Sequence, residues 1–354
     1  MISWLAAAIG VAALFGLNVG SFLNVVIWRL PRGGSLSDPT WSYCPQCKHR
    51  LGALDLAPVL SFLALRARCR YCRSPISWRY PAIEMLTGLL FAAVAWRFAG
   101  AEDFSAAADI FFECLFLATL ICVFFIDLEH FVIPDGLNVL GLLIGLAHWA
   151  VISWWVGRFH PLRSALAGAA GYAAVIYGIG LLAYVVIVGV GAKRGALRAG
   201  WNYLRENAAD WAWIAVYYLG AMIPPLRRLA EPPPPLEGAS AAEIEADEDE
   251  GGMGGGDGKL AAAIGANLLF PLWLHSLYYA VLIGVVQGVA ALFIKRRRLG
   301  ERTAIPFGPA MVGGALIALF IGHPLWDWYV RHYWPLTAGP PAPAGLAEKN
   351  IKSF

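Results

Sequence analysis

The chain has 354 residues, of which 59% are hydrophobic and only 14% charged, and it carries 15 tryptophans. So apolar a composition excludes a single soluble core and describes a polytopic membrane protein. The formal net charge of +3 needs no nucleic-acid partner to explain it, because the basic residues are distributed as membrane topology demands.

Eight stretches approach the ~20 mostly apolar residues of a spanning helix: 2–27, 81–98, 108–126, 136–156, 164–192, 259–274, 276–294 and 309–330. The expected fold is therefore all-α, with about eight transmembrane helices. The first helix, within 1–28, has no basic residue ahead of it, since Arg29 is the first charge, and no small-residue cleavage site ends it. It reads as a retained helix rather than a signal peptide.

Residues 29–80 form a small polar domain between the first and second spans. Cys44-Pro45-Gln46-Cys47 and Cys69-Arg70-Tyr71-Cys72 are two CxxC pairs separated by 21 residues, the spacing of a four-thiolate site. Each pair makes a tight knuckle that aims two soft sulfurs at one ion, which suits Zn²⁺. Four protein ligands leave no open position, so the zinc is structural and stabilises a domain with too little core of its own. A disulfide or redox dithiol and unligated thiols are the alternatives. Arg50, Arg66, Arg68, Arg70 and Arg73 read as a solvated basic surface.

Of the 27 Lys and Arg, 21 lie in the loops 29–79, 193–259 and 295–302. The positive-inside rule puts those loops in the cytoplasm, both termini outside, and the four-cysteine domain on the cytoplasmic side of the membrane.

Residues 81–192 hold the second to fifth helices. The third ends on Phe125-Ile126-Asp127-Leu128-Glu129-His130, a polar turn, before the chain re-enters the membrane after Pro134-Asp135. A carboxylate beside apolar helices costs several kcal/mol unless it is partnered or used, which marks Asp127 as a functional candidate; the alternative is an ordinary helix-end acid. Asp135 reads as a cap for the following helix, Glu129 and His130 as exposed turn residues, and Cys114 and Cys122 as packing residues.

The insertion 193–250 contains a 13-residue apolar stretch, Trp211 to Ile223, too short to span and read as interfacial. Four consecutive prolines and six acids among its last eight residues make the rest a solvated linker. Residues 251–331 open with Gly251-Gly252-Met253-Gly254-Gly255-Gly256-Asp257 and carry the last three helices; 332–354 is a tail. Gly254 and Gly256 let a peptide approach Asp257 closely, and Lys259 is either a membrane-edge anchor or a charge that tunes Asp257. A glycine-rich linker is the bland alternative. If the two acids meet, they can share a proton and hydrolyse a peptide, one activating water while the other polarises the carbonyl.

Gly20-Ser21-Phe22-Leu23-Asn24-Val25-Val26-Ile27-Trp28-Arg29-Leu30-Pro31, the paired CxxC motifs, Ile76-Ser77-Trp78-Arg79-Tyr80-Pro81-Ala82-Ile83-Glu84, Asp127, Gly254-Gly255-Gly256-Asp257-Gly258-Lys259 and Ile305-Pro306-Phe307-Gly308-Pro309 follow in order. In these the chain resembles the type IV prepilin peptidases, GxGD aspartyl proteases. The resemblance implies Asp127 and Asp257 as catalytic residues and cleavage of prepilin or pseudopilin leaders on the cytoplasmic side. It also implies N-methylation of the new terminus with S-adenosylmethionine, for which Glu84 is a candidate. Two departures stand out: the insertion before the GxGD motif, and Gly258 where the family carries a larger residue, a substitution expected to loosen the helix start. The acidic run ending at Glu250 is expected to tune Asp257 or attract a basic leader. A transporter with buried acids and a non-catalytic assembly factor of a pilus or type II secretion system remain as other readings. Oligomeric state leaves no trace in the sequence.

Overall fold

A computed structural model describes residues 2–37, 39–99, 104–191, 204–205, 207–211, 255–294 and 306–333. The helices are α1 (Ile2–Arg29), α2 (Leu60–Ala64), α3 (Arg79–Arg97), α4 (Phe104–His130), α5 (Asp135–Val156), α6 (His160–Gly191), α7 (Gly255–Leu268), α8 (Leu272–Ile294) and α9 (Gly308–Tyr333). Strands are absent among the described residues, apart from two isolated bridges in the cysteine domain. Among the described residues each expected apolar stretch is wholly or largely helical, the stretch 259–274 being interrupted between Leu268 and Leu272. Five helices, α1, α4, α5, α6 and α8, are long and apolar enough to cross a membrane by length and composition, and the apolar part of α9, Gly308–Gly322, is shorter.

Of the eight expected spans, α3, α7 and α9 are therefore not among these five, and the one furthest from expectation is α7. Its 14 residues extend about 21 Å, and Gly258 to Ala266 are buried without interruption. Protein rather than lipid surrounds it, so its sequence is small and only moderately apolar. The expected helix 259–274 ends at Leu268 because Pro271, reached through a cis peptide bond after Phe270, cannot continue it. Its neighbours approach through small residues. On α5, a Cβ at Gly145 would lie 2.9 Å from Ala266 Cβ; on α6, Gly168 has its backbone against that of Gly265.

The same device joins α1 to α3. A Cβ at Gly16 would fall 2.8 Å from Gly88 Cα, and one at Gly20 would fall 2.7 Å from Glu84 Cα. Without Cβ atoms the two backbones pack directly, the usual way to bind helices where lipid is as apolar as leucine.

The domain between α1 and α3 is tied down by polar contacts. The Arg29 guanidinium, buried at the end of α1, donates to the carbonyls of Ser35 (3.1 Å), Pro39 (2.7 Å) and Trp41 (3.0 Å). Asp55 receives Arg70 at 2.6 Å, the Tyr71 hydroxyl at 3.1 Å and the Gly52 N–H at 3.1 Å. Burial opposes ionisation of Asp55, but these three donors prevail and hold its carboxyl below the usual carboxylate range. Arg70 is exposed, as expected, and is in addition the partner of Asp55.

Candidate active site

Asp127 sits in the last turn of α4 and is buried, 4% exposed. The polar turn expected after it stays helical to His130, and the chain reverses only at Phe131, whose φ is +57° and whose N–H donates to the Asp127 carbonyl at 2.9 Å. The Asp127 carboxyl accepts the backbone N–H of Gly308 at 2.9 Å. Gly308 opens α9, so an acid from one helix meets the unsatisfied amides that begin another. Among the described residues no cation forms an ion pair with Asp127.

Asp257 lies in the first turn of α7. Ile133, in the loop after α4, connects the two acids' surroundings: a Cβ at Gly256 would lie 3.3 Å from Ile133 Cβ, and one at Gly308 would lie 3.2 Å from Ile133 Cδ1. The residue before Asp257 and the residue that holds Asp127 therefore pack on one side chain. Asn138 Nδ2 adds a contact to the Gly256 carbonyl at 3.5 Å. Gly254 and the acidic run ending at Glu250 lie outside the described residues.

Lys259 is buried, and its Nζ reaches Asp135 Oδ1 at 2.9 Å and Asp210 Oδ2 at 3.6 Å. This corrects the reading of Asp135 as a cap: it stands in the first turn of α5 with no side-chain cap there, because the buried ammonium of Lys259 is the stronger claim on its carboxylate. Lys259 is a strut between α7, α5 and residue 210, not a membrane-edge anchor. Glu129 is exposed, as expected, but is held by Arg79 of α3. His130 is partly buried, and its Nε2 has no partner among the described residues. Trp211, the first residue of the supposedly interfacial stretch, packs beside Ala169, Ala262 and Ala266; the remainder of that stretch lies outside the described residues.

The four cysteines converge. Their Sγ atoms all lie within 4.8 Å of one another, with Cys44 and Cys72 at 3.9 Å; sulfurs at 2.3 Å around a tetrahedral ion are roughly 3.8 Å apart. The two knuckles repeat one design. Lys48 donates its N–H to Cys44 O at 2.8 Å and Arg73 to Cys69 O at 3.0 Å, with φ of +59° and +60° respectively. Hydrogen bonds from Ser74 bring the Cys72 thiol down to about 6. Backbone amides of Cys47 and Gln46 and the sulfurs of Cys69 and Cys47 lower that of Cys44 against its burial. Cys44 and Cys72 are thus biased toward the thiolate that a metal ion takes, whereas at Cys47 a backbone hydrogen bond from His49 is outweighed by desolvation and the neighbouring Cys72 and Cys44 sulfurs, which push it up to about 11.

A cleft of about 540 Å³ lies between this domain and the ends of α1 and α3, lined by Ser21, Asn24, Arg29, Phe62, Tyr80 and Glu84 among others. Glu84 is buried and accepts the Val59 N–H at 2.7 Å. Asn24 donates to Gly20 O and Tyr80 O, while its Oδ1 is buried without a partner among the described residues.

Sequence reasoning missed the roles of Gly308, Ile133 and Asp210. The Pro306-Phe307-Gly308-Pro309 run signalled a helix start, but a backbone donor has no residue type to announce it.

The family description Bacterial Peptidase A24 N-terminal domain matches residues 14–98, and that of the Type IV leader peptidase family matches residues 114–289. The chain is 35% identical over 330 residues to a prepilin leader peptidase/N-methyltransferase of Myxococcus xanthus (strain DK1622), covering 87% of this chain and 89% of that protein. It is 30% identical over 353 residues to one of Legionella pneumophila, covering 92% and 94%. A third, from Bacillus subtilis (strain 168), is 29% identical over 318 residues, covering 90% and 96%. No solved structure matches the chain.

Proposed function

We propose that this chain, which belongs to the type IV leader peptidase family, hydrolyses prepilin leader peptides with Asp127 and Asp257 as its two catalytic carboxyls. It is a bacterial multi-pass membrane peptidase. One observation carries the residue assignment: Asp127 is buried and held by Gly308, and Gly308 shares its packing partner Ile133 with Gly256, the neighbour of Asp257.

The chemistry follows from two carboxyls that hold one proton between them. The ionised carboxyl takes a proton from a water molecule, which attacks the scissile carbonyl carbon. The protonated carboxyl donates its proton to the carbonyl oxygen, giving a gem-diol. The first carboxyl then passes the proton it took from water to the leaving amine as the C–N bond breaks, and the second takes a hydroxyl proton back from the collapsing gem-diol, so the pair again holds one proton. Lys259, neutralised by Asp135 and Asp210, holds the first turn of α7 without standing as a bare charge beside the pair. The substrates are prepilins or pseudopilins with basic leaders, and the concentration of Lys and Arg in the loops beside this site and in the cysteine domain supports a cytoplasmic side for both.

The four thiolates suit one structural Zn²⁺, which would fix the domain that walls the cleft beside Glu84. That cleft is in the size range of small-molecule sites, and the unsatisfied Asn24 Oδ1 offers an acceptor in it. It fits S-adenosylmethionine, which when bound supplies a methyl group to the amine released by cleavage. Glu84 and Asn24 would hold the donor's polar groups there.

Incubating the purified chain with a prepilin and comparing Asp127→Asn and Asp257→Asn tests the reading. Each substitution is expected to abolish cleavage with the fold intact, and wild-type cleavage by either would refute the assignment. Glu84→Gln is expected to lose methylation and keep cleavage. A non-catalytic assembly factor would be indifferent to all three.

A further inference from the structure

The residue after Asp257 is a glycine, and its missing side chain is not empty space. A Cβ at Gly258 would overlap three ring carbons of Tyr177, which comes from α6 and is half-buried. The Tyr177 hydroxyl donates to the Gly255 carbonyl at 3.3 Å and accepts the indole N–H of Trp211 at 3.0 Å. Trp211 belongs to the helical residues 207–211 of the insertion. The same segment puts Asp210 Oδ2 at 3.6 Å from Lys259 Nζ, and Asn207 Oδ1 at 3.0 Å from where a Cβ of Gly255 would stand.

These contacts converge on one turn of backbone, 255–259, with Asp257 at its centre. A run of glycines lets a peptide lie close, but it also has more conformational freedom to lose than any other sequence. Such a turn needs restraint from outside. The phenol supplies it twice, by filling the volume left at 258 and by holding the 255 carbonyl.

We infer that Tyr177 is a positioning residue for Asp257, and that residues 207–211 of the insertion buttress it through Trp211. The inference rests on the reading of Asp257 as catalytic. The small residue at 258 and the insertion are then two parts of one device, since a large side chain at 258 would exclude the phenol that Trp211 supports.

The test uses the full-length protein in detergent with a prepilin substrate. Tyr177→Phe keeps the ring and removes both hydrogen bonds, and is expected to lower kcat roughly three- to tenfold with KM within about twofold, and to shift the pH profile of kcat. Trp211→Phe should act in the same direction with a smaller effect. Gly258→Phe alone should lose cleavage through the clash. Tyr177→Ala/Gly258→Phe should recover to the level of Tyr177→Phe, because the volume is refilled and the hydrogen bond is not. Wild-type kcat and pH profile in Tyr177→Phe, with Asp257→Asn inactive, would overturn the inference. So would a fall in kcat matched by lost thermal stability with an unchanged pH profile, the mark of a merely structural residue. Cleavage by Asp257→Asn would overturn the catalytic reading and this one with it.

Discussion

Replacing Gly308 by alanine perturbs the site by one methyl group at a calculable place. The added Cβ would stand 2.5 Å from Asp127 Oδ2 and 3.1 Å from its Cγ, about 0.9 Å inside the 3.4 Å at which ordinary contact begins. Asp127 is buried among α4, α9 and Ile133, so the carboxyl must rotate off the 308 amide or α9 must retreat. Either motion lengthens the 2.9 Å hydrogen bond. A bond to a charged group contributes about 1.5–3 kcal/mol, and a 1 Å misplacement of a reacting group costs about a hundredfold in rate. The expected result is a fall in kcat of about 10²-fold with little change in KM. The assay is initial-rate cleavage of a purified prepilin in detergent, with thermal melting as a fold control. The companion Gly256→Ala has Ile133 as its nearest neighbour, at 3.3 Å, and should cost less than tenfold in rate. Wild-type kcat in a well-folded Gly308→Ala protein would refute the claim that this amide holds a catalytic carboxyl.

Cys44→Ser or Cys72→Ser removes one of four converging sulfurs; bound zinc should fall below one per chain by elemental analysis, with residues 29–80 becoming the first protease-sensitive part of the protein. Asp135→Asn leaves the buried Lys259 with the more distant Asp210; because the Asp135 side chain is itself 40% exposed, screening reduces the loss to about 1–2 kcal/mol, read as a lower melting temperature together with reduced cleavage. The Asp55 carboxyl is held below its ordinary range by Arg70, Gly52 and Tyr71, so its contribution is complete above the unfolded carboxylate value and disappears as pH falls through the lower folded value. Asp55→Asn should therefore flatten the acid limb of the domain's unfolding curve and leave the neutral-pH limb parallel to wild type.

Most helices were readable because lipid is a uniform solvent. Hydropathy over 2–27, 108–126 and 136–156 marks α1, α4 and α5 within a few residues, whatever they pack against. The prediction is poorest at α7, where the surroundings are protein, and a break at Pro271 divides what looked like one continuous apolar stretch. Asp135 misled for a related reason: an acid at a helix start reads as a cap, and the ammonium that claims it lies 124 positions away.

The cysteine cluster is the opposite case, because each CxxC is a local turn that carries its geometry in its own backbone, and only the meeting of the two knuckles is long-range. The sequence by itself determined the membrane class, the helices, the thiolate set and the two acids worth attention. Tertiary structure alone decided that Ile133 joins their surroundings, that the Gly308 amide holds one of them, and that Tyr177 occupies the space beside the other. Those contacts are made by backbone groups and by volumes left open at glycines, and neither leaves a residue pattern until the helices are packed.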